Sequence, residues 1–212
     1  MNLIAVSDPT LAKGDIDLGW FAGDKDTGPL PETLGPLIQH AAESLGTSRL
    51  ILFGPSGGGY AAIVFGTMFP DSVVLAVNPR LDLNARPKAR LEKYLEVAHG
   101  DRTTGDVSVL LKEFGLTRVQ DQLEKPLDFN LLIFQNSGDT VYLNNQLTPF
   151  LSDFHSDPRV HVRLENYATG HKPIPGEMLR DILRTLKQKN LSDAISQAGF
   201  VPTAGNPVFE GE

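Results

Sequence analysis

Six residues, Gly54-Pro55-Ser56-Gly57-Gly58-Gly59, constrain this chain more than any other stretch. The apolar run Arg49 to Phe53 precedes them and reads as a buried parallel strand, and Tyr60 to Phe69 reads as a helix ending at Pro70. Gly54, Ser56 and Gly58 fit the G-x-S-x-G elbow, where a strand turns sharply into a helix and lifts one serine hydroxyl above the sheet. Such a serine holds a strained backbone, and small neighbours two residues to either side let strand and helix approach closely. The helix N-terminus then aims backbone N–H groups and a positive dipole at an oxyanion formed beside Ser56, with Gly57 and Gly58 as the nearest donors.

Other uses of a glycine-rich turn fit less well. The G-K-[ST] ending of a phosphate-binding P-loop is missing. Gly57, Gly59 and Ala62 satisfy the dinucleotide pattern, but Gly57 lies three residues beyond the strand-closing Gly54. The next apolar run, Val73 to Val77, ends at Asn78 instead of the acid that binds a ribose hydroxyl.

Short apolar runs alternating with helical patterns indicate an α/β chain: a three-layer α/β/α sandwich around a mostly parallel sheet. Strands are expected at Leu3–Ser7, Leu50–Phe53, Val73–Val77, Asn130–Gln135 and Val160–Leu164. Helices are expected at Thr33–Leu45, Gly58–Phe69, Arg86–Ala98, Val107–Phe114, Leu143–Phe154 and Pro175–Lys189. Residues 14–36 read as a long surface loop. One domain is expected over residues 1–200, with a flexible tail over 201–212.

The formal net charge of −7 argues against a sequence-independent grip on nucleic acid. No apolar run reaches membrane-spanning length and no signal peptide is recognisable, so a cytoplasmic protein without a membrane span is expected. The absence of cysteine excludes thiolate metal sites and cysteine nucleophiles, and no histidine pair has ligand spacing, so neither metal nor other cofactor is expected.

An activated serine needs a base, and the base needs an orienting group. His40 lies in a helical pattern, His161 in a strand, and His99 and His155 near helix ends. His171 follows the strand Val160–Leu164 in the loop Tyr167-Ala168-Thr169-Gly170-His171, past the carboxyl edge where an open α/β sheet presents its functional groups. Asp139, in Asn136-Ser137-Gly138-Asp139, sits just beyond the preceding strand and is also a natural N-cap for the helix beginning near Tyr142. Asp82 competes from the end of the third strand, whereas Asp128 precedes its strand and belongs to the opposite edge. Lys88, Arg90 and Lys93 read as a solvated helix face.

The order Ser56, Asp139, His171 is that of α/β-hydrolases, and the chain resembles that superfamily from Leu3 to Lys189. More narrowly, Ser7-Asp8-Pro9, Gly19-Trp20-Phe21-Ala22-Gly23, the glycine-rich elbow and Asn78-Pro79 resemble bacterial α/β-hydrolase-like proteins linked to surface polysaccharide or glycoprotein export. The resemblance implies a serine esterase or thioesterase with a catalytic triad: Ser56 forms an acyl-enzyme on a small-molecule acyl substrate, His171 is the base and Asp139 orients it. It also places Asn78 and Arg80 beside the substrate, although position 80 is Gln in the family pattern.

One departure stands out. The superfamily has strands before the one that Leu3–Ser7 matches, and another between it and the elbow strand whose loop supplies the second oxyanion donor. This chain has no room for that intervening strand, which leaves Gly19 to Gly28 to supply a substitute. The resemblance is therefore to a reduced fold, with three explanations open: a minimal sheet re-paired internally, an edge supplied by another copy in a homo-oligomer, or an N-terminally shortened gene product. The alternative expectation is a weak or inactive hydrolase-like protein that binds a glycan-related or protein partner.

Overall fold

The structure, a computed structural model, describes residues 2–85, 88–100, 103 and 106–206. Asp8 caps a 3-10 turn over Pro9–Lys13, which leads into a two-stranded ribbon of β1 (Gly23–Asp24) and β2 (Gly28–Pro29). Then come α1 (Leu30–Ser44), β3 (Ile51–Pro55), α2 (Gly57–Gly66), β4 (Val73–Val77), α3 (Ala89–His99), α4 (Val107–Glu113) and β5 (Asn130–Asn136). One helical rod follows, made of α5 (Thr140–Tyr142), a π turn over Leu143–Leu147 and α6 (Thr148–Phe154). The chain closes with β6 (Val160–Glu165), α7 (Gly176–Thr185), α8 (Leu191–Gln197) and β7 (Val201–Pro202).

The main sheet runs β3-β4-β5-β6-β7, with the first four strands parallel and β7 antiparallel to β6. A parallel strand buried on both faces must be apolar throughout, which is why Val73–Val77 and Leu131–Phe134 are unbroken apolar runs. Their alternate residues serve two cores. Val74, Ala76, Leu131 and Ile133 pack with Ile63, Tyr94 and Phe150 from the helices of one face. Leu75, Leu132 and Phe134 pack with Ile182 of α7 and Ile195 of α8 on the other. A smaller cluster joins α1, through Leu34 and Ile38, to Ala61 and Phe65 of α2.

The expected strand Leu3–Ser7 does not form. Leu3 and Ile4 are 83% and 59% exposed, and no described strand pairs with them. A strand needs a neighbour to satisfy its backbone, and apolar composition alone does not supply one. The elbow strand β3 accordingly stands at the edge of the sheet, without the internal re-pairing that the sequence suggested. The unexpected elements include the β1–β2 ribbon and the start of α1 at Leu30, in the stretch read as a long surface loop. They also include α8 and β7, which pairs Val201 and Pro202 with β6 where a flexible tail was foreseen. Arg86, at the start of the expected helix Arg86–Ala98, and tail residues 207–212 lie outside the described residues. Among the described residues, no helix is long and apolar enough to cross a membrane.

Candidate active site

Ser56 sits between β3 and α2 with φ 50° and ψ −116°, a region costing a non-glycine residue about 1–3 kcal/mol. Its surroundings hold it there. The Ser56 N–H donates to Val77 O at 2.9 Å, and its carbonyl accepts from Gly59 N–H at 3.0 Å and Arg80 N–H at 3.1 Å. The glycines answer separate demands. A Cβ on Gly54 would lie 2.0 Å from Gly58 O, one on Gly57 would lie 2.5 Å from Leu18 Cδ1, and one on Gly59 would lie 2.9 Å from Pro79 Cβ. Gly58 is different, because its Cβ would only touch Pro55 Cδ at 3.4 Å.

His171 Nε2 lies 3.0 Å from Ser56 Oγ, and His171 Nδ1 lies 2.8 Å from Asp139 Oδ2. An ionised carboxylate only accepts, so Nδ1 carries the imidazole proton and Nε2 keeps a lone pair for the serine proton. The Asp139 side chain is buried while that of His171 is 37% exposed, so the hydrogen-bonded chain runs from interior to surface. Asp139 also caps α5, its Oδ1 accepting from Tyr142 N–H at 3.2 Å, so both expected contacts of this aspartate are present.

The loops bearing Asp139 and His171 are locked together. Asn136 Nδ2 donates to Ala168 O at 2.8 Å and Gly170 O at 2.9 Å, and Gly170 N–H donates to Gly138 O at 2.9 Å. A Cβ on Gly138 would fall 2.1 Å from Ala168 O, so this approach requires glycine. Asn78 Nδ2 donates to Tyr167 OH at 2.7 Å and to Lys172 O at 3.1 Å. Burial raises the Tyr167 pKa, which keeps the phenol a donor to Lys172 O at 2.9 Å.

The other candidates lie elsewhere. Asn78, expected beside substrate, directs its amide into the His171 loop. Arg80 is buried and its guanidinium donates to Ala85 O at 2.6 Å. Asp82 Oδ1 accepts from Asn84 N–H in its own turn, and Asp128 gives its carbonyl to Asp71 N–H. His99 is enclosed by Tyr94 and Phe114, His155 sits at the end of α6, and His161 lies within β6. Among the described residues, no group of three or more His, Asp or Glu side chains is arranged to hold a metal ion.

Beside the elbow, Trp20 and Phe21 both adopt positive φ, 53° and 54°. Asp8 holds this turn: its Oδ2 accepts Phe21 N–H at 2.8 Å, and a Cβ on Gly19 would collide with that oxygen. The turn seats Leu18 over Gly57 and, with Val6 and Gly58, lines a cleft of about 260 Å³. A groove of about 400 Å³ lies between residues 15–17 and α3, where Arg90 pairs with Asp17 at 3.1 Å and Lys93 with Asp15 at 2.8 Å.

Sequence reasoning passed over Asn136, Tyr142 and Tyr167. Asn136 and Gly138 were legible only as a turn, and nothing local marks a turn that grips a second loop.

No protein-family model matches the chain, and no curated protein does. Its fold is shared with solved structures. One is the capsule O-acetyltransferase of Neisseria meningitidis serogroup A, as a histidine-to-alanine mutant in complex with CoA: TM-score 0.55 and 18% identity, over 75% of this chain and 66% of that one. The second is the same enzyme in complex with caged gadolinium: TM-score 0.53 and 17% identity, over 79% of this chain and 67% of that one. The chain thus spans about two thirds of the length of these neighbours.

These neighbours correct the functional expectation. The architecture is a mixed α/β fold shared with proteins described as O-acetyltransferases, so the reading as an α/β-hydrolase with an esterase triad is withdrawn. The inactive glycan-binding or protein-binding alternative gains no support from them either. The physical reason is plain. Transferases and hydrolases can share the acylated serine, and differ in the nucleophile that discharges it, which the elbow sequence does not encode.

Proposed function

We propose that this protein is an O-acetyltransferase, which moves an acetyl group from a coenzyme A thioester to a hydroxyl of a saccharide acceptor through acetylated Ser56. The observation that carries the reading is the 3.0 Å contact between Ser56 Oγ and His171 Nε2, backed by Asp139 on Nδ1 at 2.8 Å. The reaction class is supported by the structural neighbours, described as capsule O-acetyltransferases, one in complex with CoA.

In the first half-reaction Ser56 Oγ attacks the thioester carbonyl carbon as His171 Nε2 takes its proton. Asp139 keeps the imidazole in the required tautomer and stabilises the imidazolium. The oxyanion faces the first turn of α2, where the N–H groups of Gly57 and Gly58 have no carbonyl partner within the helix. Collapse breaks the C–S bond, and the departing thiolate receives the proton from His171. In the second half-reaction His171 deprotonates the acceptor hydroxyl, which attacks the acetyl carbon. Ser56 Oγ then leaves and is reprotonated by His171.

Intact-mass analysis after mixing with acetyl-CoA, with thiol release followed in parallel, tests this reading. Wild type should gain one acetyl group and lose it when a saccharide acceptor is added, while Ser56→Ala should gain none. Acetylation that persists in Ser56→Ala would overturn the nucleophile assignment. Thiol release that no saccharide accelerates, with acetate as product, would overturn the transferase assignment.

A further inference from the structure

We propose that Tyr142 is a positioning residue that fixes the plane of the His171 imidazole through ring stacking. The inference rests on the reading of His171 as the base for Ser56. The ring centroids of Tyr142 and His171 are 3.9 Å apart and their planes diverge by 23°. Hydrogen bonds at Nδ1 and Nε2 define one line across the imidazole, about which the ring remains free to tip. A ring stacked on its face removes that freedom. His171 needs such a restraint because its side chain is 37% exposed and its loop has no regular secondary structure.

The fold places Tyr142 for this purpose. Its own N–H donates to Asp139 Oδ1, so one residue's backbone and ring engage the imidazole and its acid partner. Directly after it comes the π turn Leu143–Leu147, an irregularity that often marks functional sites. Within that turn, Gln146 Oε1 accepts Leu81 N–H and Asp82 N–H, both at 2.7 Å, and Leu147 is buried. The π turn therefore lets one rod present Tyr142 to His171 while its next residues join the core.

The test compares Tyr142→Leu with Tyr142→Phe, reading the rate of Ser56 labelling by a fluorophosphonate, and kcat and KM with acetyl-CoA. Circular dichroism verifies folding, and Tyr142→Met replaces the leucine variant if that one unfolds. Tyr142→Leu should slow labelling and lower kcat about three- to tenfold, the size of an aromatic stacking contribution. KM for acetyl-CoA should stay the same, and Tyr142→Phe should restore most of the loss. Wild-type rates in a folded leucine variant would overturn the proposal, as would failure of phenylalanine to restore them. Wild type that labels but is not acetylated would sink only the acetyl-CoA reading. Wild type that does neither sinks both.

Discussion

Asn78 Oδ1 accepts the backbone N–H of Asn136 at 2.7 Å, joining the end of β4 to the end of β5. Both side chains are buried, and each reaches onward to the loop that carries His171. Asn78 holds φ 43° to do so, a left-handed conformation that asparagine tolerates better than most residues. The distance from Ser56 to His171 is therefore set in part by amides that touch neither.

Replacing Asn78 with Ala strands the Asn136 N–H and frees the His171 loop. Stability should fall by about 1–3 kcal/mol. Urea unfolding measures that loss. Turnover with acetyl-CoA should show kcat falling at least tenfold, more than KM rises, because the contacts serve loop placement.

Asp139→Asn separates capping from chemistry. Asparagine caps helices about as well as aspartate, so Tm should move little. An amide cannot hold the same tautomer, and acetylation of Ser56 should slow by on the order of 10⁴-fold, as when the aspartate of a serine protease is so replaced. Rapid-quench mass spectrometry of a single turnover would expose a mere structural role as a rate near wild type.

Two alanine substitutions four residues apart should act with different severity. Gly54→Ala places a methyl group 2.0 Å from backbone Gly58 O, and should cost about 3 kcal/mol or more or prevent folding. Gly58→Ala meets only Pro55 Cδ at 3.4 Å and lies within α2, so its thermal midpoint should stay near wild type. Equal midpoints in the two variants would contradict the close packing of β3 on α2.

His161 makes stability depend on pH. Burial lowers its pKa in the folded protein, so the neutral ring is the form the fold accepts. As pH falls through the ordinary imidazole range, near about 6.5, the unfolded chain binds a proton that the folded one resists, and stability declines. Above that range both states are neutral and the contribution is complete. His161→Gln should flatten the part of the Tm decrease between about pH 7 and pH 5 that this residue causes. Parallel Tm curves for the two proteins would exclude that contribution.

The layered order of elements was legible because parallel strands announce themselves as short apolar runs. Val73–Val77 came out with both ends as expected, and β5 and β6 each extend one residue further than expected. The failures share a cause. Leu3–Ser7 has strand composition without a partner, and Val201–Pro202 has a partner without strand composition. Pairing is a property of two segments, and one segment's pattern reports only half of it.

The sequence by itself determined the elbow: a glycine run between a strand and a helix can place Ser56 in only a few ways, because sterics act over five residues. It also marked Asp139 and His171 as loop residues past the carboxyl edge. Their meeting was decided by tertiary structure. Gly138 against Ala168, Asn136 on the His171 loop and Tyr142 against the imidazole are contacts between residues about 30 apart in the chain, formed only once the strands have stacked the loops. Reaction class is more remote still, since under the proposed mechanism it turns on which nucleophile reaches an acylated Ser56, and that depends on the space above the site and not on the residues that build it.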